Sequence, residues 1–477
     1  MVSADVLVVG GGSAGWGVAG MLAGAGRDVL VVDRRVPAMA GARWLNLVPG
    51  WCFDEARVPR PEPPERWGGA HGASHLRAAG TGAAVRIEGQ DGLHIDMRLL
   101  VARLRARALA SGAREARGVL RGLRGGRRIE RAEVEGLGDV RARLVVDASG
   151  LAGAVRRRAP WLAVRCPEVA PEDLCSAAEF QFEVRDPAGL SAFLARHGAA
   201  PGDSVAFLGL AGGYSTLTVF SEPTLSEVGV LAGSIPAAGA PNGPRLLAAF
   251  ARERAWLGRR LFGGQGAIPV RRPYRLLARG GVALVGDSAC QVYGSHGSGV
   301  GMGLIAARTL ADALAREDDP GRDDALEAYT HRFHRRHGGL LAGADAFRRL
   351  SQGLDRETLA ALMQSGMLDA RALASGVEQR LPAPDARWIL SRAARAATAP
   401  RAAAEVGPTV AKMLALSALG ALTPDSRALG ARVHHALVRR LVGPTPRGAG
   451  DGRPVAMPHA EGVSDAGARS EPVGGGR

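Results

Sequence analysis

The chain is read as an α/β protein: a parallel, doubly wound sheet, an inserted and mostly antiparallel sheet, and a C-terminal helical region. Three observations carry this. Two short apolar runs, Asp5–Val9 and Val29–Asp33, flank a glycine-rich turn and a segment of helical length; strands that apolar are buried on both faces, as parallel strands are. From about residue 166 to 270 the pattern changes to strand-like alternation, as in Ala177–Val184, Tyr214–Phe220 and Glu227–Leu231. Beyond about residue 318, helical spacing prevails to about residue 442.

The first strand runs directly into Gly10-x-Gly12-x-x-Gly15. Gly10 permits the tight turn, Gly12 lets the backbone approach a pyrophosphate, and Gly15 lets the next helix pack close to the strand. The helix Ser13–Gly24 then aims its free N–H groups and positive dipole end at the phosphates. Asp33, at the end of the second strand, is placed to accept from ribose hydroxyls. Strand, glycines, helix, second strand and acid arrive in order. The first thirty-five residues therefore read as a Rossmann-like unit for the ADP half of a dinucleotide.

A Pro-, Gly- and Trp-rich stretch follows from Arg34 to about Gly92 and reads as a long loop. A loop of that length inside a compact domain is usually functional; its Trp44, Asn46 and Trp51 either line a pocket or pack beneath the loop. Ile95–Ser111 has helical spacing, Ala116–Leu123 and Ile129–Leu137 read as strands, and Ala142–Asp147 is a buried strand ending in Asp147-Ala-Ser-Gly150. The parallel scaffold returns with Gly281–Val285. The expected organisation is residues 1–165, first part of the nucleotide-binding domain; 166–270, the inserted substrate-binding sheet; 271–317, the return segment; 318–442, the helical region; and 443–477, a disordered tail poor in apolar residues.

After the returning strand comes Gly286-Asp287-Ser-Ala-Cys290-Gln-Val-Tyr293-Gly-Ser-His296-Gly297-Ser-Gly299. An aspartate at a strand's carboxyl end can hold the hydroxyls of a linear ribityl chain. The glycine turn and the helix starting near Val300 offer N–H groups to an anionic ring carbonyl, which is what a flavin requires.

Composition bounds the rest. The 477 residues, 46% hydrophobic and 22% charged, suit a globular protein of two or three domains. The net charge of +15 is almost wholly arginine, with Lys412 the only lysine; it reflects compositional bias, and no aromatic-studded basic stripe points to nucleic acid. Four scattered cysteines form neither a disulfide framework nor a metal-ligand pattern. No charged leader precedes the first strand, and no apolar stretch approaches the roughly 18–20 residues that span a bilayer. A cytoplasmic protein without bound metal is expected.

Together these motifs resemble the FAD-dependent superfamily of geranylgeranyl reductases, aromatic hydroxylases, flavin-dependent halogenases and lycopene-cyclase-like proteins, over residues 1 to about 317. The resemblance implies that Gly10, Gly12, Gly15 and Asp33 form the ADP-binding fingerprint, that Asp147 and Gly150 form the middle motif, and that Gly286 and Asp287 hold the ribityl chain. It further implies that Gly297 and Gly299 turn beneath the ring, and that the strand at Gly118-Val119 offers backbone contacts to the adenine. Departures narrow the branch. Hydroxylases carry Ala-Asp-Gly where this chain has Ala148-Ser149-Gly150, a form closer to reductases and halogenases. Halogenases need an early lysine and a Trp-x-Trp segment, and this chain has neither. Hydroxylases and reductases usually place a proline where Tyr293, Gly294 and Ser295 stand.

The resemblance implies an FAD-dependent oxidoreductase acting on an apolar or aromatic small molecule held between the inserted sheet and the flavin. Hydride transfer to a carbon–carbon double bond is favoured, with His296 or Tyr293 as proton donor. NAD(P)H-dependent monooxygenation and a non-redox cyclase or isomerase remain the alternatives, and NAD(P)H or another donor supplies electrons. His331, His334 and His337, three residues apart in an Arg-rich helix, are expected on a solvated face. Met413–Leu422 is either a core helix or an apolar face touching membrane or lipid substrate.

Overall fold

Strands that are apolar at every position need cover on both faces, and here they form the middle of the larger sheet. The computed structural model describes residues 2–68, 72–380, 385–422 and 427–443; the tail expected to be disordered lies outside them apart from Gly443. An eight-stranded sheet carries five parallel strands in the order Val282–Leu284, Gly138–Asp147, Val2–Val9, Val29–Asp33 and Arg114–Arg117. Val6, Leu7 and Val8 are fully buried, as are Leu144, Val145 and Val146. The helices Ser13–Ala23, Met97–Ala110 and Val300–Leu314 cover this sheet and share its core. The hairpin Val119–Gly125/Ile129–Glu135 extends it by pairing antiparallel with the first half of Gly138–Asp147.

The second sheet has seven strands, in the order Leu257–Pro269, Leu174–Val184, Glu227–Ser234, Ser215–Ser221, Ser204–Leu208, Ser74–Ala78 and Ala84–Ile87. All neighbours are antiparallel except Ser204–Leu208 beside Ser74–Ala78. Period-two alternation splits its residues. Ala178, Phe182, Leu217, Val219, Val228 and Val230 face one way and pack against the helices Pro187–Arg196 and Gly243–Arg252. The opposite, inner face looks toward the nucleotide-binding sheet.

The stretch from Arg34 to Gly92 is not a loop. It contains the strand Leu45–Pro49, the helix Gly50–Ala56, and the two strands at 74–87 that complete the second sheet. Pro, Gly and polar residues between such short elements diluted the periodicity.

The three histidines correct an expectation outright. His331, His334 and His337 are buried, not solvated. The helix Asp323–Phe333 runs into a π-helical turn, His334–Gly338, which shifts the side-chain phase inward. His334 Nε2 lies 3.0 Å from the Tyr274 carbonyl oxygen, and His337 Nε2 lies 3.0 Å from Glu55 Oε1. The last described helix, Arg427–Val442, covers the turn, its His434 and His435 rings 5.5 and 5.3 Å from that of His334. Burial is the leading cause that lowers His334 to about 3 and His434 to about 4, so these rings are neutral at physiological pH.

Met413–Leu422 packs as a core helix on one side. It closes the helix Pro400–Leu422, whose Leu416 and Leu419 are core residues packed with Ala342 and Val438, while Ala411, Ala415 and Ala418 face outward.

Candidate flavin site and active centre

Three sequence-distant motifs meet at the carboxyl ends of the strands Val2–Val9, Gly138–Asp147 and Val282–Leu284. A Cβ on Gly10 would lie 2.3 Å from the Ala148 carbonyl oxygen, and one on Gly286 would lie 3.2 Å from Ala14 Cβ. Gly10 has φ +113°, which favours glycine in any case. Gly15 is demanded by packing: its Cβ would stand 1.9 Å from the Gly10 carbonyl oxygen.

Gly12 differs from both. An added Cβ would meet nothing nearer than Gly41 Cα at 3.8 Å, so no protein atom requires glycine there. The space it leaves lies at the start of the helix Ser13–Ala23, where a phosphate would need it. That helix has Gly12 as its N-cap with no side-chain cap, and Val300–Leu314 begins the same way at Gly299. Asp96, Asp186, Asn242, Asp355, Asp369 and Asp385 each cap another helix with a side-chain oxygen, while Gly50–Ala56, Pro160–Ala163, Asp323–Phe333 and Gly339–Gly353 also start without such a cap. The two helices that start at this site keep their leading N–H groups free of side-chain caps. An uncapped helix start is an anion site.

The carboxylates divide by role. Asp33 accepts from Gly11 N at 2.7 Å and from Arg35 N at 2.7 Å, fixing the glycine turn at the end of its strand. The Gly118 N–H donates to the Asp33 carbonyl at 2.9 Å, which brings Val119 beside it. Asp287 accepts no side-chain hydrogen bond among the described residues, and burial pushes its carboxyl up to about 6. An acceptor desolvated and left without a donor suits the hydroxyls of a ribityl chain. Asp147 is different. It is fully buried, and its carboxylate accepts from Ser149 N and Oγ, Val155 N and Arg156 N at 2.6–3.1 Å. Four donors occupy it, so it shapes the middle turn. Gly150, φ +69°, sits in that turn with nothing within 4 Å of a would-be Cβ.

Tyr293 and His296, paired in sequence, are separated in space. The Tyr293 N–H donates to Ser298 O at 3.0 Å, and Gly297 N donates to Tyr293 O at 2.8 Å, closing a tight loop. The Tyr293 side chain is 3% exposed within the core. Its backbone anchors the loop and its side chain packs in the core. His296 stands at the tip, open to solvent but ringed by protein, and the loss of bulk solvation holds its pKa below the usual imidazole value. Of the two proposed proton donors only His296 is accessible.

The inner face of the second sheet closes over this loop. Tyr214 Oη donates to Gly294 O at 2.9 Å, and Gly297 approaches Ile268 and Val270. Trp44 lies against the backbone of Gly264 and Gly266, where any Cβ would come within 2.7 and 3.2 Å of the ring. Trp44 therefore packs the segment before the strand Leu45–Pro49 against the second sheet. Trp51 donates through Nε1 to Glu378 O at 2.8 Å and is likewise structural. Asn46 keeps a buried Nδ2 without an acceptor.

Pairing register sets two rows side by side on that face: Gly266, Ala177, Gly233, Thr216, and next to it Gly264, Glu179, Leu231, Thr218. Ala177, Thr216, Thr218 and Leu231 stay only half-buried, so the face is not filled by protein. Glu179 was not legible as functional. It is 4% exposed, receives the Leu45 N–H, and burial pushes its carboxyl well above the usual range. It is a buried acid on the wall of this space, and alternation of Ala177, Glu179 and Gln181 was the one signal that could have found it. A cavity of about 240 Å³ adjoins Tyr214, lined also by Ala211, Gly213, Ile235 and Leu354. Among the described residues no group of three or more ligating side chains is arranged to hold a metal.

No family model matches the chain. A sequence relative is digeranylgeranylglycerophospholipid reductase 1 of Methanopyrus kandleri, 26% identical over 340 residues, 69% of this chain and 85% of that protein. Among solved structures, a geranylgeranyl bacteriochlorophyll reductase-like protein from Thermoplasma acidophilum superposes with a TM-score of 0.68 at 18% identity, covering 86% of this chain and all of that one. A probable FAD-dependent monooxygenase from Pseudomonas aeruginosa superposes at 0.56 with 17% identity, covering 76% and 100%. The two structural likenesses establish the fold.

Fold, motifs and relatives together define an FAD-dependent oxidoreductase. Within that class the chain is similar to geranylgeranyl reductases in sequence, and it shares its fold with flavin-dependent monooxygenases and a flavin-dependent brominase as well.

Proposed function

We propose that this enzyme reduces carbon–carbon double bonds in an elongated apolar molecule of isoprenoid type. The observation that carries the reading is the half-buried row Ala177, Thr216 and Leu231 on the inner face of the second sheet, beside Tyr214 and Ile268, which meet the glycine loop that bears His296. The kinship with reductases of polyprenyl lipids supports it. Bound FAD, once reduced by NAD(P)H or another donor, supplies a hydride to one carbon of the double bond.

The protein's own part follows from its geometry. The uncapped helix starts at Gly12 and Gly299 balance negative charge on the pyrophosphate and on the reduced ring. Gly12 would leave room for the pyrophosphate and Asp287 would accept from the ribityl hydroxyls. The inner face of the second sheet and Trp44 exclude water and align the chain. His296, at the loop tip, is the group placed to give a proton to the second carbon. As its pKa lies below the usual imidazole value, the imidazolium is scarce at neutral pH, and the step is faster under mildly acidic conditions.

The test follows NAD(P)H and oxygen consumption against a panel of isoprenoid and phenolic compounds. Saturation of an isoprenoid without oxygen uptake is expected. Oxygen uptake coupled to a hydroxylated phenol would assign the enzyme to the monooxygenases, and product without net oxidation to the cyclases.

A further inference from the structure

The helix Ala386–Ala396 is turned inside out. Asp385 caps it, and its polar side faces the protein: the Arg392 side chain is 15% exposed and pairs with Asp369. Arg392 and Arg395 both donate to the Gly366 carbonyl at 2.7 Å. Trp388 lies on this side too, with the Arg392 guanidinium 4.6 Å from its ring centre. The outward face is left with Ala386, Ile389, Leu390, Ala393, Ala394 and, just beyond the last turn, Ala397. Ile389 and Leu390 are 50% and 69% exposed. A helix on a water-facing surface has the reverse arrangement.

The adjoining helix Pro400–Leu422 repeats the theme. It buries Ala402, Val406, Leu416 and Leu419 and shows solvent Ala404, Pro408, Val410, Ala411 and Ala415. On a helical wheel Ala404, Pro408, Ala411 and Ala415 fall within one narrow arc with Val410 about 100° away, and the edge beyond Pro408 carries the exposed Arg401, Lys412 and Glu405. Between residues 385 and 443 the sequence holds nine Arg or Lys against three Asp or Glu. No helix among the described residues is long and apolar enough to cross a membrane. An apolar face bordered by cations, too short to span, is built to lie in a bilayer interface.

We propose that the outward face of these two helices docks on an anionic lipid surface. Ile389, Leu390 and Val410 enter the headgroup region while Arg387, Arg401 and Lys412 meet the lipid phosphates. Charge favours this occupant over a second copy of the chain, because a two-fold contact would set the same cationic edges against each other. Docking there would give the enzyme direct access to an apolar substrate that is itself poorly soluble in water.

The experiment sediments the full chain, loaded with FAD, with vesicles of phosphatidylcholine alone or with about one third phosphatidylglycerol. Expected is binding to the anionic vesicles at least about tenfold stronger than to neutral ones, weakening as salt is raised. Ile389→Asp/Leu390→Asp alters only exposed side chains and should cut binding about tenfold or more with flavin content unchanged. Should that variant fold poorly, Arg401→Glu/Lys412→Glu must weaken anionic binding selectively. Absence of vesicle binding, or equal binding by both variants, overturns the proposal. A dimer in lipid-free solution that the first variant dissociates, without vesicle binding, overturns it in favour of self-association. No turnover is read, so this outcome is independent of the reaction proposed above.

Discussion

Gly12 and Gly15 sit three residues apart in one motif, yet they are glycine for different reasons. Gly15→Ala would drive a methyl group into the Gly10 carbonyl, whereas a Cβ at Gly12 meets no protein atom nearer than 3.8 Å. Gly12→Val should therefore yield a folded chain without a flavin absorption band after FAD is added, read by absorbance and circular dichroism; a flavin-loaded variant would remove the pyrophosphate from this turn. Asp287 permits a second test. Its folded carboxyl lies near 6 against an ordinary 3.8, so the fold prefers the protonated form. That contribution is complete below about pH 4 and is lost as pH rises through about 6. Asp287→Asn should raise the apoprotein's melting temperature at neutral pH, flatten its dependence across that window, and weaken FAD binding. A lower neutral-pH melting temperature would contradict the assignment. His296→Ala should keep FAD while lowering turnover roughly 10²–10⁴-fold, the usual range for a positioned acid. The wild-type kcat profile should fall as pH rises through a value below 6.5, and the variant should lose that limb. Full turnover per bound flavin in the variant would end this role for His296.

At the scale of elements, the parallel core was legible because its strands are uninterrupted apolar runs ending in glycine or aspartate. Val2–Val9, Val29–Asp33 and the segment Gly138–Asp147 fall where that pattern puts them. The strands Ser74–Ala78 and Ala84–Ile87 were not, since each is short and gains its partners from residues more than a hundred positions away or from its own hairpin. Asp147 and Tyr293 carry motif positions that sequence assigns to the cofactor or to chemistry. Only packing reveals that four donors occupy the first and that the second is core. The histidines failed for a related reason: a π-helical turn changes the period of a helix, and no 3.6-residue count anticipates it. The helix Pro400–Leu422 offers the check at this scale. Leu416→Ala removes a fully buried side chain and should cost about 2–5 kcal/mol in denaturant unfolding. Val410→Ala, on the exposed face, should stay within about 0.5 kcal/mol. Equal costs would show that the helix does not pack by its Leu416 side.

The whole molecule is two sheets clamped on one space. The clamp is made by Tyr214 on Gly294 and by a buried network in which Arg348 joins Asp173 and Asp345 at 2.6 Å each. The nucleotide-binding sheet brings the flavin cradle, the second sheet brings the apolar floor, and His296 stands on the loop between them. On that division rests the central proposal, that reducing equivalents held on one side pass to a double bond held on the other. The direct measurement is a single turnover under anaerobic conditions. Enzyme carrying reduced FAD is mixed with an isoprenoid, while flavin oxidation and product mass are followed together. The account predicts oxidation of the flavin by the isoprenoid alone, with two hydrogens gained per flavin, and slower oxidation in His296→Ala. Flavin that stays reduced until oxygen is admitted, and then yields a hydroxylated product, would contradict it.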